Sequence, residues 1–399
     1  MKIPYNIAWA AVQQSQELLI LYGHGKGLGD ICAFTVNGAP RLATTTSDDN
    51  TIRIWNPDTG TQLHTFDSHG SPIWSVCAYT SSDGTPRLVT TSDDQTVRIW
   101  NPDTGTQDRT LHRYEGALVL VCAFTTADGA PRLATTSAAD RTIRIWNPDT
   151  GTQLHTLRGH NAVVNGLCAF TTADGTPHLA TSCDDGAVHV WVPGTATEPR
   201  TWQRHDLKII AIGAFTTADG TPHLAIAYDD GTVQVWDPGT GTEPRTLHGH
   251  HGWVHAVCAF TAADGTPRLA TTSGTSDDET IRIWNPDTGT QDRTLHGRDS
   301  ISLMCAFTAA DGTPRLATAP VGGTASIWDP DTSSDLPVLN GHHNQRFSMC
   351  AFTTADGTSR LATASGTFRA SDDETVRIWN PDTGIQDHTL HSHDGVLSV

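Results

Sequence analysis

The chain has 399 residues, enough for a large hydrophobic core, and its 25 Lys and Arg against 43 Asp and Glu give a formal net charge of −18. That charge, without any basic block or stripe, argues against non-specific binding to nucleic-acid backbones. No stretch is long and apolar enough to cross a membrane, and residues 1–14 make a poor signal peptide, so the sequence predicts a cytoplasmic protein with neither a nucleic acid nor a membrane as partner.

After this N-terminal segment of residues 1–14, one pattern repeats along the chain. Ile-Trp-Asn or a near copy of it occurs eight times, at intervals that run from 44 residues (Trp284 to Trp328) to 51 residues (Trp328 to Trp379). Its tryptophans are Trp55, Trp100, Trp146, Trp191, Trp236, Trp284, Trp328 and Trp379. A period of this length holds about four short strands, which is one blade of a β-propeller. The sequence therefore predicts an all-β fold, a single eight-bladed β-propeller of four-stranded antiparallel blades over residues 15–391.

The second copy shows the elements of one blade most clearly. Four segments have the composition of strands, which we label a, b, c and d in chain order: 72–79, 87–91, 96–100 and 107–111. Asp83-Gly84 predicts a tight turn between strands a and b, because this pair tolerates the positive φ that hairpins need. Residues 92–95 and 101–105 are predicted to form the b–c and c–d turns.

This repeat resembles the WD-repeat β-propeller family, in the form of near-identical copies seen in bacterial members. The resemblance is carried by Gly-His before strand a, Ser-x-Asp before strand c and Trp at the end of strand c. In that family the His, Ser or Thr, Asp and Trp form a hydrogen-bonded tetrad inside each blade. The matching residues are His24, Ser47, Asp49 and Trp55 in copy one, His69, Ser92, Asp94 and Trp100 in copy two, His250, Ser276, Asp278 and Trp284 in copy six, and His342, Ser371, Asp373 and Trp379 in copy eight.

Other copies depart from this pattern. Cys183 and Tyr228 stand at the serine position of copies four and five, and Tyr114 and Arg298 replace the histidine in copies three and seven. A Ser-His-Asp trio that recurs in several blades favours a structural role over a hydrolase triad, which needs one exposed nucleophile and an oxyanion hole.

Seven of the eight cysteines occupy one equivalent position in strand a, within Cys-Ala-Phe or Cys-Ala-Tyr. They are Cys32, Cys77, Cys122, Cys168, Cys258, Cys305 and Cys350. Equivalent positions of neighbouring blades are expected to be too far apart for a disulfide, so we interpret these residues as buried free thiols in a reducing compartment.

No metal or cofactor is predicted. The histidines of copy six (His248, His250, His251 and His255) favour one tetrad member among solvated loop residues over a metal site. Aspartates recur in Pro-Asp-Thr-Gly turns, but the alternating acidic spacing of a calcium loop is absent.

The two ends of the propeller are expected to differ. The a–b and c–d turns share one face and hardly vary between copies, which predicts an acidic, monotonous surface. The d–a connections and b–c turns share the other face and vary sharply, as recognition surfaces do. We therefore expect a non-catalytic scaffold that binds a protein or peptide through this variable face, near the channel mouth. The candidate partner-binding residues are Trp74, Tyr114, Glu115, Asn165, Lys208, Trp253, His255, Arg298 and Arg346.

Two other functions are compatible with the sequence. One is an enzyme with a pocket at the channel mouth, where Tyr114, Glu115, Lys208 and His255 supply acid–base groups. The other is a carbohydrate-binding propeller, although Trp202 has no aromatic equivalent except Phe66. The sequence leaves the oligomeric state open.

The ring has two candidates for the outer strand of blade eight. These are Glu17–Leu21, which runs into Gly-His as every strand d does, and the local hairpin strand Gln386–Leu390. Burial of Leu18, Leu19, Ile20 and Leu21 favours the first, so we expect Glu17–Leu21 to pair with Thr375–Trp379. Residues 392–399 resemble the start of a ninth repeat.

Overall fold

The structure is a computed structural model that describes residues 28–46, 50–56, 61–113, 118–172, 174–195, 198–204, 206–273, 278–296, 301–309, 312–320, 325–331, 335–339, 346–354, 357–366 and 376–382. Within these ranges every regular element is a β-strand. The ranges contain no helix able to cross a membrane. The predicted limits of the propeller at residues 15 and 391 lie outside them, as do the segments 1–14 and 392–399.

The first four blades are four-stranded antiparallel sheets in simple chain order. Blade one comprises β1 (Leu28–Val36), β2 (Ala39–Thr46), β3 (Thr51–Asn56) and β4 (Thr61–Asp67); blade two comprises β5 (Ile73–Thr80), β6 (Pro86–Ser92), β7 (Thr96–Asn101) and β8 (Thr106–Arg113). Blade three comprises β9 (Leu118–Thr125), β10 (Pro131–Ser137), β11 (Ile143–Asn147) and β12 (Thr152–Leu157); blade four comprises β13 (Val164–Thr171), β14 (Pro177–Cys183), β15 (Ala187–Trp191) and β16 (Arg200–Gln203).

The remaining blades follow the same order. Blade five comprises β17 (Ile209–Thr216), β18 (Pro222–Tyr228), β19 (Val233–Trp236) and β20 (Arg245–Leu247); blade six comprises β21 (Val254–Thr261), β22 (Pro267–Ser273), β23 (Thr280–Asn285) and β24 (Thr290–His296). Blade seven comprises β25 (Ile301–Thr308), β26 (Pro314–Pro320), β27 (Ala325–Trp328) and β28 (Asp335–Leu339); blade eight comprises β29 (Arg346–Thr353), β30 (Ser359–Gly366) and β31 (Val376–Trp379). The predicted eight-bladed all-β propeller is confirmed. Both candidates for the fourth strand of blade eight lie outside the described residues.

Register within a blade follows from strand alternation. In blade two, Ile73 pairs with Ser92, and Leu88 pairs with Trp100. Successive side chains of a strand point to opposite faces, so Ile99 faces away from the side shared by Trp100 and its partner Leu88. Leu88 and Ile99 therefore pack into separate inter-blade cores. The turn between strands a and b forms as predicted, with Gly84 at a φ of +80°.

The hydrophobic cores lie between neighbouring blades. Between blades one and two, for example, Ile54 and Phe66 pack with Leu88 and Trp100. The first strand of each blade also contacts the first strand of the next, and β29 contacts β1. These contacts close the ring, since a further core joins blade one to Phe352, Ala362 and Ile378 of blade eight.

The cysteines form no disulfide within the described residues. All eight lie within described residues and are free thiols. Seven of them sit on the first strands, where burial raises the pKa of each thiol, to about 11 for Cys77 and about 12 for Cys258. A thiol with a raised pKa stays protonated, so these side chains serve as small packing groups.

Candidate functional site

One end of the ring carries the d–a connections and the b–c turns together. We call it the d–a/b–c face, and its described part comprises residues 68–72, 158–163, 204, 206–208 and 248–253 of the connections and residues 50, 93–95, 138–142, 184–186, 229–232 and 278–279 of the turns. Backbone hydrogen bonds tie two of these connections to the turn of the preceding blade. Examples are Ser68 N to Asn50 O at 3.1 Å and Arg204 N to Gly186 O at 3.1 Å.

A buried polar chain supports this face in blade two. The indole N–H of Trp100 donates to Oγ1 of Thr90 at 2.9 Å, and that oxygen lies 2.8 Å from Nε2 of His69. Because an indole can only donate, the threonine proton is left for Nε2, which places the imidazole N–H on Nδ1. Nδ1 then donates to Oδ2 of Asp94 at 2.9 Å. His69, Asp94 and Trp100 thus lie in one chain, as the resemblance implies.

The hydroxyl in this chain corrects the sequence interpretation. It belongs to Thr90, whereas Ser92 donates to Ser71 O at 3.0 Å and accepts from the backbone N–H of Asp94 at 3.1 Å. Ser92 lies two residues further along strand b, towards the turn, so its side chain caps the turn and does not reach the indole.

The same threonine recurs around the ring. In blade six, Thr271 lies between Trp284 and His250, and His250 contacts Asp278 at 2.9 Å. The other described tryptophan–threonine pairs are Trp55–Thr44, Trp146–Thr135, Trp191–Thr181, Trp328–Thr318 and Trp379–Thr363. The remaining predicted tetrad members lie outside the described residues: His24, Ser47, Asp49, Ser276, His342, Ser371 and Asp373.

Electrostatics keep these histidines neutral. The side chains of His69 and His250 are 0% and 1% exposed, and burial lowers the pKa of each to about 4 despite the adjacent aspartate. Burial alone would raise the pKa of Asp94, but hydrogen bonds from Thr96 and His69 outweigh it and hold that pKa below its usual value. A neutral imidazole beside a carboxylate, sealed from solvent, fixes structure and offers substrate no access.

Blade four varies this chain with a thiol. Sγ of Cys183 lies 3.0 Å from Nδ1 of His160 and 2.6 Å from Oδ1 of Asp185, so the thiol is inserted between the imidazole and the carboxylate. Burial, followed by the neighbouring His189, lowers the pKa of His160 to about 3. Within the described residues, no group of three or more His, Cys, Asp and Glu side chains could hold a metal ion.

Three predicted partner-binding residues contact aspartates of the b–c turns. The Trp74 indole donates to Asp93 at 2.6 Å, and the Asn165 amide donates to Oδ1 of Asp184 at 3.0 Å. Nζ of Lys208 lies 3.6 Å from the same Asp184 oxygen. Asn165 and Lys208, from neighbouring blades, therefore converge on one exposed carboxylate.

Trp253 is the most exposed large apolar side chain among the described residues, at 50%. Its ring stacks on His255 with centroids 6.2 Å apart and planes 21° apart. Burial lowers the pKa of His255, so this imidazole is neutral at pH 7. The connection before Trp253 lies against the b–c turn of blade five, because a Cβ on Gly231 would come within 3.0 Å of the carbonyl oxygens of His250 and Gly252.

Charged groups lie on and beside the b–c turn of blade five. Asp229 accepts from the backbone N–H of Lys208 at 3.1 Å, and exposed Asp230 lies 3.9 Å from Arg204. The guanidinium of Arg204 also lies over the Tyr228 ring, 5.3 Å from its centroid. The connection before Trp253 thus lies against a turn that carries two carboxylates, and one of these is near Arg204 of the preceding connection.

The structure leaves part of the predicted site undescribed. Tyr114, Glu115 and Arg298 lie outside the described residues. Arg346 begins β29 opposite Gly366, and its side chain is not described. The equivalent sequence positions of blades two, five and six carry the buried Ile73, Ile209 and Val254.

Sequence reasoning missed the aspartates of this face. It assigned the acidic surface to the a–b and c–d turns, where Asp83 and its described equivalents Asp128, Asp174, Asp219 and Asp264 are indeed exposed. The available signal was the Asp-Asp pair before strand c: Asp94 turns inward to His69, while Asp93 stays at the channel mouth and is exposed. In blade four, Asp184 holds the position of Asp93 and is likewise exposed.

Comparison with known proteins agrees with this geometry. A family model described as WD domain, G-beta repeat matches residues 15–56, 60–101, 151–192 and 241–285, which lie in copies one, two, four and six. The chain contains WD40 repeats in these four places and folds as an eight-bladed propeller. Its other copies are built as the same blades.

A solved structure shares the fold of this WD40 propeller. The computationally designed Ika8 protein superposes with a TM-score of 0.71 over 92% of this chain and 100% of its own, at 23% sequence identity. At that identity the similarity concerns the fold alone. A search of curated proteins gave no match to the sequence.

Proposed function

We propose that this WD40 propeller is a non-catalytic scaffold that binds a protein or peptide on its d–a/b–c face, and that the bound segment carries Lys or Arg side chains. WD40 propellers in general serve protein interaction. The observation that carries the proposal is the half-exposed Trp253, which follows a connection that lies against the turn carrying Asp229 and Asp230.

The rigidity of the surface supports this proposal. Trp253 follows a connection that is hydrogen-bonded on its inner side, where the His251 backbone N–H donates to Asp278 at 2.8 Å. An aromatic ring held in place loses little conformational entropy on binding, and Trp is enriched among residues that dominate binding energy.

Charge supports the chemistry of the partner. The described part of the d–a/b–c face carries ten acidic residues, Asp93, Asp94, Asp140, Asp184, Asp185, Asp206, Asp229, Asp230, Asp278 and Glu279, against four basic ones, Arg141, Arg158, Arg204 and Lys208. These carboxylates exceed the cations, and the chain as a whole has a net charge of −18. Long-range attraction therefore favours a basic segment and raises its association rate at low salt.

Binding to a peptide array tests the proposal. Matched sets of basic, neutral and acidic peptides are probed with the wild-type propeller, with Trp253→Ala and with Leu154→Ala. Leu154 is a control because it is an exposed apolar residue on the outer strand β12. We expect binding of basic peptides that weakens with salt, a loss of about ten-fold or more in Trp253→Ala, and no change in Leu154→Ala. Equal binding of all three peptide classes, or full binding by Trp253→Ala, would refute it.

A further inference from the structure

A cleft of about 360 Å³ opens on the opposite end of the ring, between blades two and three. Its walls come from the a–b turn of blade two, including Tyr79 and Ser82, and from the c–d turn of blade three, including Asp149. This volume falls within the usual range for small-molecule sites. The cleft is remote in the fold from the d–a/b–c face, since a–b and c–d turns lie at the other ends of the strands.

Two hydroxyls in this cleft are unique among the repeats. Tyr79 occupies a position that holds Phe in every other copy: Phe34, Phe124, Phe170, Phe215, Phe260, Phe307 and Phe352. Ser82 occupies a position that holds Ala in six copies: Ala127, Ala173, Ala218, Ala263, Ala310 and Ala355. Copy one has a shorter turn at this point. In a chain of near-identical repeats, both departures add a hydroxyl, and both line the same cleft.

The ring of Tyr79 is as deeply buried as the phenylalanine rings at the same position in copies three and six. The residue is 9% exposed, as Phe124 and Phe260 are, so the ring alone would fill the core in either form. No described residue hydrogen-bonds to its hydroxyl. Burial raises the pKa of this phenol, which therefore remains a neutral donor. Because Tyr79 lines the open cleft, its hydroxyl can donate to a ligand that enters there.

The charged groups of the cleft are already engaged. Nε of Arg87 lies 2.5 Å from Asp108, and Asp149 accepts from the Ser82 backbone N–H at 3.2 Å. Arg109 donates to the Thr150 carbonyl oxygen at 3.3 Å. Carboxylates repel an anion and guanidinium groups repel a cation, so this lining favours a neutral ligand with several hydroxyls.

The junction of blades six and seven provides an internal comparison. There Nε of Arg268 lies 2.6 Å from Asp292, and Asp331 accepts from the Ala263 backbone N–H at 3.1 Å. The ion pair and the backbone bond thus recur where Phe260 and Ala263 replace Tyr79 and Ser82. The backbone hydrogen bond joins neighbouring blades at both junctions. The hydroxyls of Tyr79 and Ser82 are not needed for this contact.

We propose that the cleft between blades two and three binds a neutral polyhydroxylated ligand of the size of one sugar ring. Tyr79 donates to a ligand oxygen, Ser82 supplies a second hydroxyl, and carboxylate oxygens beside them accept from ligand hydroxyls. This is a single site made by two departures from the repeat, and it does not depend on repeated aromatic platforms.

Calorimetry with a panel of monosaccharides and their methyl glycosides tests the proposal. The propeller is used as wild type and as the Tyr79→Phe, Ser82→Ala double variant, which restores the residues that other copies carry and so preserves the fold. Thermal unfolding checks this. We expect at least one sugar to bind with a Kd below about 10 mM and to lose about ten-fold or more in affinity in the double variant.

The arms of the panel separate the possible sources of the ligand. Acceptance of a methyl glycoside indicates the end of a glycan, and its rejection indicates a free sugar; either supports the site. Phosphate, glutamate and lysine serve as charged probes. Three results would overturn the proposal. They are that no sugar binds with a Kd below about 10 mM, that the double variant binds the sugar as tightly as the wild type, or that only the charged probes bind. Trp253→Ala should bind the sugar normally, which keeps this test independent of the peptide site.

Discussion

At Thr90, one buried hydroxyl connects the indole of Trp100 to the imidazole of His69. Thr90→Val keeps the shape but leaves an indole N–H and an imidazole nitrogen unpaired, so we predict a loss of roughly 2–4 kcal/mol in the free energy of unfolding. Ser92→Ala removes only the turn contacts and should cost about 1 kcal/mol. Denaturant unfolding of both variants checks the order. An equal or larger loss of unfolding free energy in Ser92→Ala would indicate that Ser92, and not Thr90, supplies the hydroxyl of the tetrad.

The buried histidines predict a pH dependence of stability. The folded-state pKa of His69 and His250 is about 4, below the unfolded value of 6.5. As pH falls below 6.5, the unfolded chain takes up protons that the folded chain does not, so stability is fully present above pH 6.5 and decreases down to about pH 4. Each such histidine contributes a slope of about 1.4 kcal/mol per pH unit. Unfolding free energies measured from pH 7 to pH 5 test this, and a flat profile would contradict it.

At the scale of the b–c turn, one position always adopts a left-handed backbone in the described blades two to five. It holds Gln95 at a φ of +69°, Arg141 at +57°, Gly186 at +79° and Gly231 at +87°. In blade four this position is also crowded, because a Cβ on Gly186 would come within 2.0 Å of the Arg204 carbonyl oxygen. The glycine therefore lets the next d–a connection lie directly on the turn.

This contrast gives a paired prediction. Gly186→Ala must move backbone as well as adopt a strained φ, so we expect it to lower the free energy of unfolding by at least about 2 kcal/mol. Gln95→Gly removes the strain of a left-handed non-glycine residue but increases the conformational entropy of the unfolded chain. Because these effects oppose each other, the free energy of unfolding should stay within about 1 kcal/mol of the wild type. Thermal and denaturant unfolding measure both. A tolerated Gly186→Ala would show that the connection does not press on the turn.

The strands were predictable because their pattern is local. The expected strand 96–100 of copy two is observed as Thr96–Asn101, and the expected strand 87–91 as Pro86–Ser92. Strand b, however, ends in Thr90-Thr91-Ser92, three consecutive hydroxyl residues. Only the pairing of Leu88 with Trp100 shows which hydroxyl the indole reaches, and a motif alone does not contain that register.

The candidate site was predictable only in part. Variation between copies directed attention to Trp74, Asn165 and Lys208, but the sequence did not show that these side chains contact aspartates. Lys208 and Asp184 belong to different blades, and their contact depends on how the blades pack in the ring. Tyr79 stands where the other copies carry phenylalanine, and the sequence alone does not show the cleft that its hydroxyl adjoins.

At the scale of the whole molecule, the closing strand of blade eight remains a prediction. The family matches at 60–101 and 151–192 each begin beside a strand d, at β4 and β12. The first match begins at residue 15 in the same phase, which supports Glu17–Leu21 as the outer strand. Deleting residues 1–21 should therefore lower the free energy of unfolding much more than deleting residues 386–399. The reverse order would assign closure to the local hairpin.

Recognition on the d–a/b–c face is tested most directly by hydrogen exchange of the propeller with and without its tightest basic peptide from the array. We predict slower amide exchange on binding at residues 206–208, 229–232 and 250–255. The a–b turns at 81–85 and 126–130 should exchange as before. Protection confined to the a–b and c–d turns, with no change around Trp253, would contradict the proposed binding face.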